Sequence, residues 1–146
     1  MLRKIAAAVA IASLTACASV PMGTPSQDAA LKKFEPVEGK AAVYIYRNEM
    51  FAYGVRMDVL VNGEDIGTTA ALSYIYTTLP PGQHKISSKA EDNTSIRLNA
   101  EAGKVYYVWQ EAVSGSWYAR SKLHLVDEKT GQAGVRECGL VAALAE

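Results

Sequence analysis

This sequence has few of the residues from which metal sites and nucleophilic catalytic centres are built. Two cysteines, Cys17 and Cys138, and two histidines, His84 and His124, occur among 146 residues. The histidines lack a His-x-x-x-His spacing and Cys138 stands alone, so no metal-binding motif is present. A Gly-x-Ser-x-Gly turn around a nucleophilic serine and a phosphate-binding glycine loop are also missing. The sequence therefore predicts no cofactor, no metal site and no enzymatic activity.

Blocks of like charge and membrane-spanning apolar runs are missing as well. The 15 basic and 15 acidic residues cancel, and after residue 16 only Lys32-Lys33 places two basic residues side by side. This pattern argues against nucleic acid as a partner. The apolar run at residues 5–14 is too short to cross a bilayer, which takes about 20 apolar residues.

The first seventeen residues instead have the layout of a secretory signal. Arg3 and Lys4 precede the apolar run, which ends in Leu14-Thr15-Ala16-Cys17. This ending resembles the lipobox of bacterial lipoproteins, in which the cysteine is lipidated and becomes the first residue of the mature chain. The alternative is an ordinary signal peptide cleaved nearby, with Cys17 there by chance. The lipobox interpretation predicts a signal peptide over residues 1–16 and a lipid on Cys17 that makes the membrane a partner.

Removal of residues 1–16 would leave 130 residues, enough for one domain, and a formal charge of −2. This charge gives no electrostatic attraction to a membrane, so we expect the lipid alone to hold the protein there. By resemblance to lipoproteins, Ala18 after the lipidated cysteine, rather than an aspartate, implies the outer membrane, with the domain facing the periplasm. Cys138 is then without a partner in the chain. We expect it to be buried, the alternatives being an intermolecular disulfide or a reactive thiol.

Residues 17–40 are predicted to be a flexible tether, because five residues disfavour regular structure: Ser19, Pro21, Gly23, Pro25 and Ser26. About 20 such residues would reach about 65–70 Å when extended. Within the tether, Ser26 could cap a helical turn that ends before Pro36. Leu31 and Phe34 could then dock on the domain.

From Ala41 onward apolar and polar residues alternate, which predicts β-strands. Asn62-Gly63 is typical of a two-residue hairpin turn, since both central positions need a positive φ. Turn signals recur about every ten residues, so residues 41–146 are predicted to form an all-β domain, a single antiparallel β-sandwich of seven to eight strands. Asp127 could cap a C-terminal helix that runs to about Val141, although three glycines weaken it: Gly131, Gly134 and Gly139.

Three stretches carry a family resemblance: Val43-Tyr-Ile-Tyr-Arg47, Val59-Leu-Val-Asn-Gly63 with Ile66-Gly67, and Leu79-Pro-Pro-Gly-Gln-His-Lys-Ile86. Together they resemble a family of bacterial lipoproteins known only as a domain of unknown function. The Pro-Pro-Gly-Gln-His segment is also similar to PEGA-type β-sandwich modules of bacterial surface proteins. The resemblance covers roughly residues 41–126 and implies a fold and an envelope location. It brings no catalytic residues with it.

Aromatic residues on two neighbouring strands are the first candidates for a binding site. Tyr107, Trp109 and Trp117 fall on strands joined by Ser114-Gly115. Their rings could form a stacking platform for a sugar or a peptide. The alternative is that they fill the core of the sandwich and its rims.

Arg47 is the other binding candidate, because it ends the first strand on its polar face. It could bind a ligand, or it could pair with an acidic residue such as Glu49. His84 is expected to be hydrogen-bonded beneath the turn at residues 80–82, and His124 is expected to point toward solvent. Acidic pairs such as Glu91-Asp92 lie at turns and are expected to be solvated.

Two functions are therefore in competition. The first is a lipid-anchored, non-catalytic binding or scaffold module of the bacterial cell envelope, with an envelope protein or glycan as its partner. The second is a periplasmic hydrolase of envelope polymers, with a carboxylate pair or a Ser–His set assembled in space. The hydrolase requires His84 or His124 within about 3.2 Å of a serine or a carboxylate in a cleft.

Overall fold

The structure is a computed structural model that describes residues 20–145. The predicted signal peptide and Cys17 lie outside the described residues. Within these described residues, nine strands and two helices follow in chain order: α1 (Pro25–Leu31), β1 (Ala41–Arg47), β2 (Met57–Val61), β3 (Glu64–Thr69), β4 (Ser73–Leu79), β5 (Gly82–Lys89), β6 (Asn93–Ala100), β7 (Val105–Ser114), β8 (Ala119–Val126), α2 (Glu128–Arg136) and β9 (Gly139–Leu140).

The strands form two sheets packed face to face, which confirms the predicted all-β sandwich. A five-stranded sheet has the order β8-β7-β1-β4-β9, and a four-stranded sheet has the order β3-β2-β5-β6. The sheets are not purely antiparallel, because β1 pairs with β7 and β4 pairs with β9 in parallel. Parallel neighbours need a long connection. The chain provides one by building the four-stranded sheet between β1 and β7.

The β1 strand is buried on both faces, which explains its nearly continuous run of apolar and aromatic residues. Val43 and Ile45 point into the core between the two sheets. Tyr44 and Tyr46 point to the other face of the five-stranded sheet, where Phe34 and Val135 cover them. This outer face is therefore a second apolar layer, closed by the chain before β1 and by α2.

The Asn62-Gly63 turn joins β2 to β3 as predicted. Asn62 has a φ of 52° and Gly63 a φ of 84°, the left-handed values that a tight hairpin turn requires. The hairpin fixes the register of Val61 opposite Glu64. It thereby keeps the apolar side chains of β2 on the core side.

Residues 20–40 differ from the predicted flexible tether, because they lie on the five-stranded sheet. Met22 forms an antiparallel bridge with Val141. The cap of α1 is Thr24 rather than Ser26, and it forms a capping box with Gln27. Phe34 is buried edge-on against the rings of Tyr44 and Tyr107, so the predicted docking of Phe34 is confirmed. Pro25 at the start of the helix favours it, since a first-turn proline needs no N–H partner.

The C-terminal helix α2 begins after the predicted cap, Asp127, but ends at Arg136 rather than near residue 141. Two of its glycines allow close packing. A Cβ on Gly131 would lie within 2.2 Å of Tyr107, and a Cβ on Gly134 within 2.2 Å of Tyr46. The backbone of α2 therefore lies directly on the aromatic side chains of the sheet.

Candidate binding surface

Arg47 lies in the interior and not on a polar face. Its guanidinium donates to the carbonyl oxygens of Val55 at 2.5 Å, Ala52 at 2.6 Å and Phe51 at 3.2 Å. Burial lowers the pKa of Arg47, and the nearby charge of Glu49 acts in the opposite direction. The side chain thus holds the loop of residues 48–56 in place, and the structure gives it no exposed surface for a ligand.

Tyr107 and Trp109 are covered to different extents, and neither side chain is fully exposed. Tyr107 is buried beneath Phe34 and α2. Trp109 is half-buried, with its ring stacked on His124 at a centroid distance of 5.0 Å. The Trp109 indole N–H donates to Glu49 at 3.2 Å. These rings belong to the packed sheet, so the predicted stacking platform does not form from all three aromatic candidates.

Trp117 differs from the other candidates, because 89% of its surface is exposed. It lies with Tyr118 in the short loop between β7 and β8, just beyond the last pair of that hairpin, Ser114 opposite Ala119. Indole rings are enriched where proteins bind their partners. The loop of residues 115–118, which we call the Trp117 loop, is therefore the best binding candidate.

A single carboxylate fixes the backbone of the Trp117 loop. Glu91, in the turn between β5 and β6, accepts N–H groups from Ser116 at 2.8 Å, Tyr118 at 3.1 Å and Trp117 at 3.2 Å. Desolvation raises the pKa of Glu91, but the backbone hydrogen bonds outweigh it and hold the pKa below its ordinary value. The loop is thus held in one conformation while its indole ring extends into solvent.

A second exposed apolar group lies at the same end of the sandwich. The loop of residues 48–56 presents Met50 and Phe51 about half exposed. Glu49 ties this loop to β7 by accepting the N–H of Ala112 at 2.6 Å. Met57, Ala112 and Ala119 form a small core cluster against Ala52 and Val55 of this loop, and Ala119 directly follows the Trp117 loop. We call the side chains of Met50, Phe51, Trp117 and Tyr118 the aromatic end.

A buried polar network connects the two sheets beneath the aromatic end. Gln110 accepts a hydrogen bond from Thr69 at 2.5 Å and donates to Ser88 at 2.7 Å. Ser121 donates to Ser88 at 2.7 Å. A buried network whose members are all paired makes a core rigid and specific. This network therefore supports the aromatic end from below.

The histidines lie in two different environments. His84 is buried as predicted, with Nε2 2.7 Å from the carbonyl oxygen of Pro80 and Nδ1 2.9 Å from the amide nitrogen of Asn62. His124 is partly exposed, and it also lies 2.7 Å from the carboxylate of Glu111. His124 therefore points toward solvent only in part, and the sequence did not indicate its carboxylate partner, Glu111.

Cys138 is buried as expected, with its thiol donating to the carbonyl oxygen of Arg47 at 3.4 Å. Burial raises the pKa of Cys138 to about 12. Among residues 20–145, no three histidine, cysteine or acidic side chains gather in a way that could hold a metal ion. No helix in that same range is long and apolar enough to cross a membrane.

Sequence reasoning named Trp117 as a candidate but did not indicate a role for Glu91 or Gln110. Their partners come from other strands and loops, 25 to 27 residues away for Glu91 and 22 and 41 residues away for Gln110. The local sequence signal at Glu91-Asp92 is that of a solvated turn. Only the packing of the two hairpins places this carboxylate beneath the Trp117 loop.

Comparisons with known proteins identify a family but no activity. The family described as "Protein of unknown function (DUF2846)" matches residues 37–121. An uncharacterized protein of Haemophilus influenzae is 29% identical over 132 residues, which cover 89% of this chain and 79% of the relative. No solved structure matches. The matched range contains β1 to β7, the start of β8 and the Trp117 loop.

Proposed function

We propose that this chain, which belongs to the DUF2846 family of proteins of unknown function, is a lipid-anchored, non-catalytic binding module of the bacterial cell envelope. The observation that carries the proposal is Trp117, which is 89% exposed on a loop whose backbone is held by Glu91. A preorganised loop loses little conformational entropy on binding. An exposed indole on such a loop favours recognition over catalysis.

The aromatic end favours an extended partner with apolar or sugar surfaces. Met50, Phe51, Trp117 and Tyr118 are each at least half exposed. Aromatic faces stack on sugar rings and on apolar side chains. The Tyr118 hydroxyl donates to the carbonyl oxygen of Ala90 at 3.3 Å, and its oxygen can still accept a hydrogen bond. An envelope protein or glycan fits this chemistry. The similarity to PEGA-type surface modules agrees with such a role and stays a prediction.

The anchor part of the proposal rests on Leu14-Thr15-Ala16-Cys17. We expect Cys17→Ala to remain unprocessed or to be released from membranes. We also expect Ala18→Asp to shift the protein from the outer-membrane fraction to the inner-membrane fraction. Sucrose-gradient fractionation and intact mass measurement of the mature chain test both. A Cys17→Ala protein that is fully processed and still membrane-bound would disprove the lipobox interpretation.

The binding part is tested by photo-crosslinking in intact cells. A photoreactive amino acid replaces Tyr118 in one strain, and in a matched strain it replaces Arg97, which is exposed on β6. We expect one specific protein or glycan adduct from position 118, and we expect Trp117→Ala to abolish it. The Arg97 position should give no such adduct. Adducts with bulk lipid only, or equal adducts from both positions, would contradict the proposal.

A periplasmic hydrolase is the alternative, and the pair of His124 and Glu111 favours it. A histidine 2.7 Å from a carboxylate is the arrangement of a general base with its orienting group. Against it, the ring is stacked on Trp109, and the described contacts give the pair no serine partner. His124→Ala should abolish turnover of peptidoglycan fragments by the purified protein if the alternative holds. Under the binding proposal there is no turnover to lose.

A further inference from the structure

An apolar groove of about 440 Å³ runs along the edge of the five-stranded sheet, beside α1. The strand β9 pairs with Ser73 and Tyr74 of β4, and the next residues of the β4 edge, Ile75 to Thr77, border the groove. Its walls come from α1, β3, β4 and the chain after β9. The lining residues are Gln27, Ala30, Leu31, Ile66, Ile75, Tyr76, Thr77 and residues 140–144.

No charged side chain occurs among these lining residues. Leu144 at the groove is 54% exposed, and Met22, which bridges to Val141 beside it, is half exposed. Charged groups are costly in contact with hydrocarbon, whereas apolar and small polar groups are tolerated. The composition of the groove lining therefore fits lipid acyl chains better than a polar partner.

The position of the anchor relative to the groove is restricted by chain length. Pro21 accepts a hydrogen bond from the N–H of Ala142 at 2.9 Å, and Ala142 lines the groove. Four residues from Cys17 to Pro21 span at most about 14 Å. The headgroup layer of a bilayer is about 5–7 Å thick on each side. A lipidated Cys17 could not hold the domain far from the bilayer.

We infer that the groove-bearing edge of the sandwich is a membrane-docking surface that rests on the bilayer of the anchor and takes lipid acyl chains into the groove. This inference depends on the proposed lipidation of Cys17. The groove then binds bilayer lipid, and the domain contacts the membrane directly instead of being held away from it by a long flexible tether. The far edge of the same sheet, β8, then faces away from the membrane, because three strands separate it from β9.

The test uses the full lipidated chain in vesicles of phosphatidylethanolamine and phosphatidylglycerol. An environment-sensitive fluorophore is attached to an Ala143→Cys variant at the groove, or to a Lys122→Cys variant on β8. The buried thiol of Cys138 does not compete for the label. At position 143 we expect strong quenching by nitroxide on lipid acyl chains and severalfold weaker quenching by aqueous iodide than at position 122.

Two leucines supply a matched pair of variants. Leu144 and Leu125 are both 54% exposed, but only Leu144 lies at the groove. Leu144→Asp should reduce nitroxide quenching at position 143 severalfold, and Leu125→Asp should leave it unchanged. Unchanged circular dichroism spectra show that both variants are folded.

The outcomes separate the two proposals. A chain whose mass shows no lipid on Cys17 defeats the anchor and this inference together. A lipidated chain that floats with the vesicles while position 143 stays as accessible to iodide as position 122 defeats the inference alone. An equal loss of nitroxide quenching in both leucine variants also defeats it, because the contact would then not be specific to the groove.

Discussion

At Glu91, one carboxylate accepts N–H groups from three consecutive residues of another loop. Donors of this kind are aligned only when the backbone of residues 116–118 keeps its present shape. Since these hydrogen bonds favour the ionised form, the charge of Glu91 and the shape of the Trp117 loop depend on each other. The loop should therefore respond to loss of that charge by mutation or by acid.

We predict that Glu91→Gln loosens the Trp117 loop without unfolding the domain, because the neutral amide is a weaker acceptor. Hydrogen exchange measured by NMR should accelerate at the amides of residues 116–118 and stay unchanged at Val108 in the core. Asp92→Asn is the control, since the neighbouring Asp92 carboxylate pairs with Arg120 at 3.8 Å and not with the amides of residues 116–118. Equal effects of the two variants would contradict the prediction.

Acid should have the same effect as the mutation. The pKa of Glu91 is lowered in the folded chain, so its contribution is complete above the ordinary value of 4.5 and is lost as pH falls through the lowered value. Fluorescence anisotropy of Trp117 in a Trp109→Phe background should fall over that interval. In Glu91→Gln it should be low throughout and independent of pH.

Single residues also show where sequence reasoning reached its limit. Asn62-Gly63, His84 and Cys138 lie as predicted, because their roles depend on neighbours in sequence or on simple apolarity. Arg47 does not lie on the predicted polar face. It shares the strand parity of Val43 and Ile45, which face the core, and the loop of residues 48–56 covers its guanidinium. No local pattern along β1 indicates this covering loop.

Among the elements, α2 shows that a residue unfavourable to a helix can be required by its packing. Gly131 and Gly134 lower helix propensity by about 1 kcal/mol each, which made the helix look weak in sequence. Their missing side chains let the helix backbone contact the rings of Tyr107 and Tyr46. Helix propensity describes the isolated segment, whereas the contact between α2 and the sheet joins residues that are far apart in the sequence.

We predict that Gly131→Ala destabilises the domain by ~1–3 kcal/mol, although alanine is the better helix former. The new Cβ would lie within 2.2 Å of Tyr107, so the helix or the ring must move. Urea denaturation followed by circular dichroism measures the free energy of unfolding. The control is Gly54→Ala, where no atom lies within 4 Å of the new Cβ and a change of at most about 0.5 kcal/mol is expected. A stabilising Gly131→Ala would show that α2 can lift off the sheet freely.

The N-terminal segment illustrates the same limit. Prolines, glycine and serines between residues 19 and 26 indicated a flexible chain, yet Thr24, Pro25 and Gln27 form a complete helix start. Phe34 then anchors the segment on the sheet. Composition alone does not distinguish a linker from a short capped helix whose stability comes from docking.

At the scale of the whole molecule, a layer of tyrosines covers the outer face of the five-stranded sheet. Burial raises the pKa of five of them: Tyr44, Tyr46, Tyr74, Tyr76 and Tyr107. For Tyr46 it reaches about 12. Tyr74 also donates to Asp28 at 2.7 Å and Tyr44 to the carbonyl oxygen of Leu31 at 2.7 Å, so the neutral phenols hold the N-terminal segment.

We predict that stability falls steeply in alkali. Unfolded tyrosines ionise near their ordinary value of 10.0, while the folded ones stay neutral to higher pH. The stabilisation is complete below the ordinary value and is lost as pH rises toward the raised ones. The urea midpoint should therefore drop between about pH 9 and about pH 11. Tyr74→Phe should show a shallower drop, and a midpoint that is constant over this range would contradict the prediction.

The arrangement of the two edges makes a final prediction about orientation. The groove lies at the β9 edge and the Trp117 loop joins the two strands at the opposite side of the five-stranded sheet. With strands about 4.8 Å apart, four spacings separate β8 from β9 by about 19 Å. If the β9 edge rests on the bilayer, Trp117 must extend into water, where an envelope partner can reach it.

We therefore expect Trp117, observed in the lipidated Trp109→Phe chain, to behave identically with and without a bilayer. Its emission should be quenched by aqueous acrylamide to the same extent in vesicles and in detergent, and nitroxides on lipid acyl chains should leave it unchanged. The fluorophore at position 143 in the same vesicles serves as the positive control for lipid quenching. Strong nitroxide quenching of Trp117 would show that the domain has the opposite orientation on the bilayer. The aromatic end would then be the membrane contact, because an exposed indole and phenol also suit the bilayer interface.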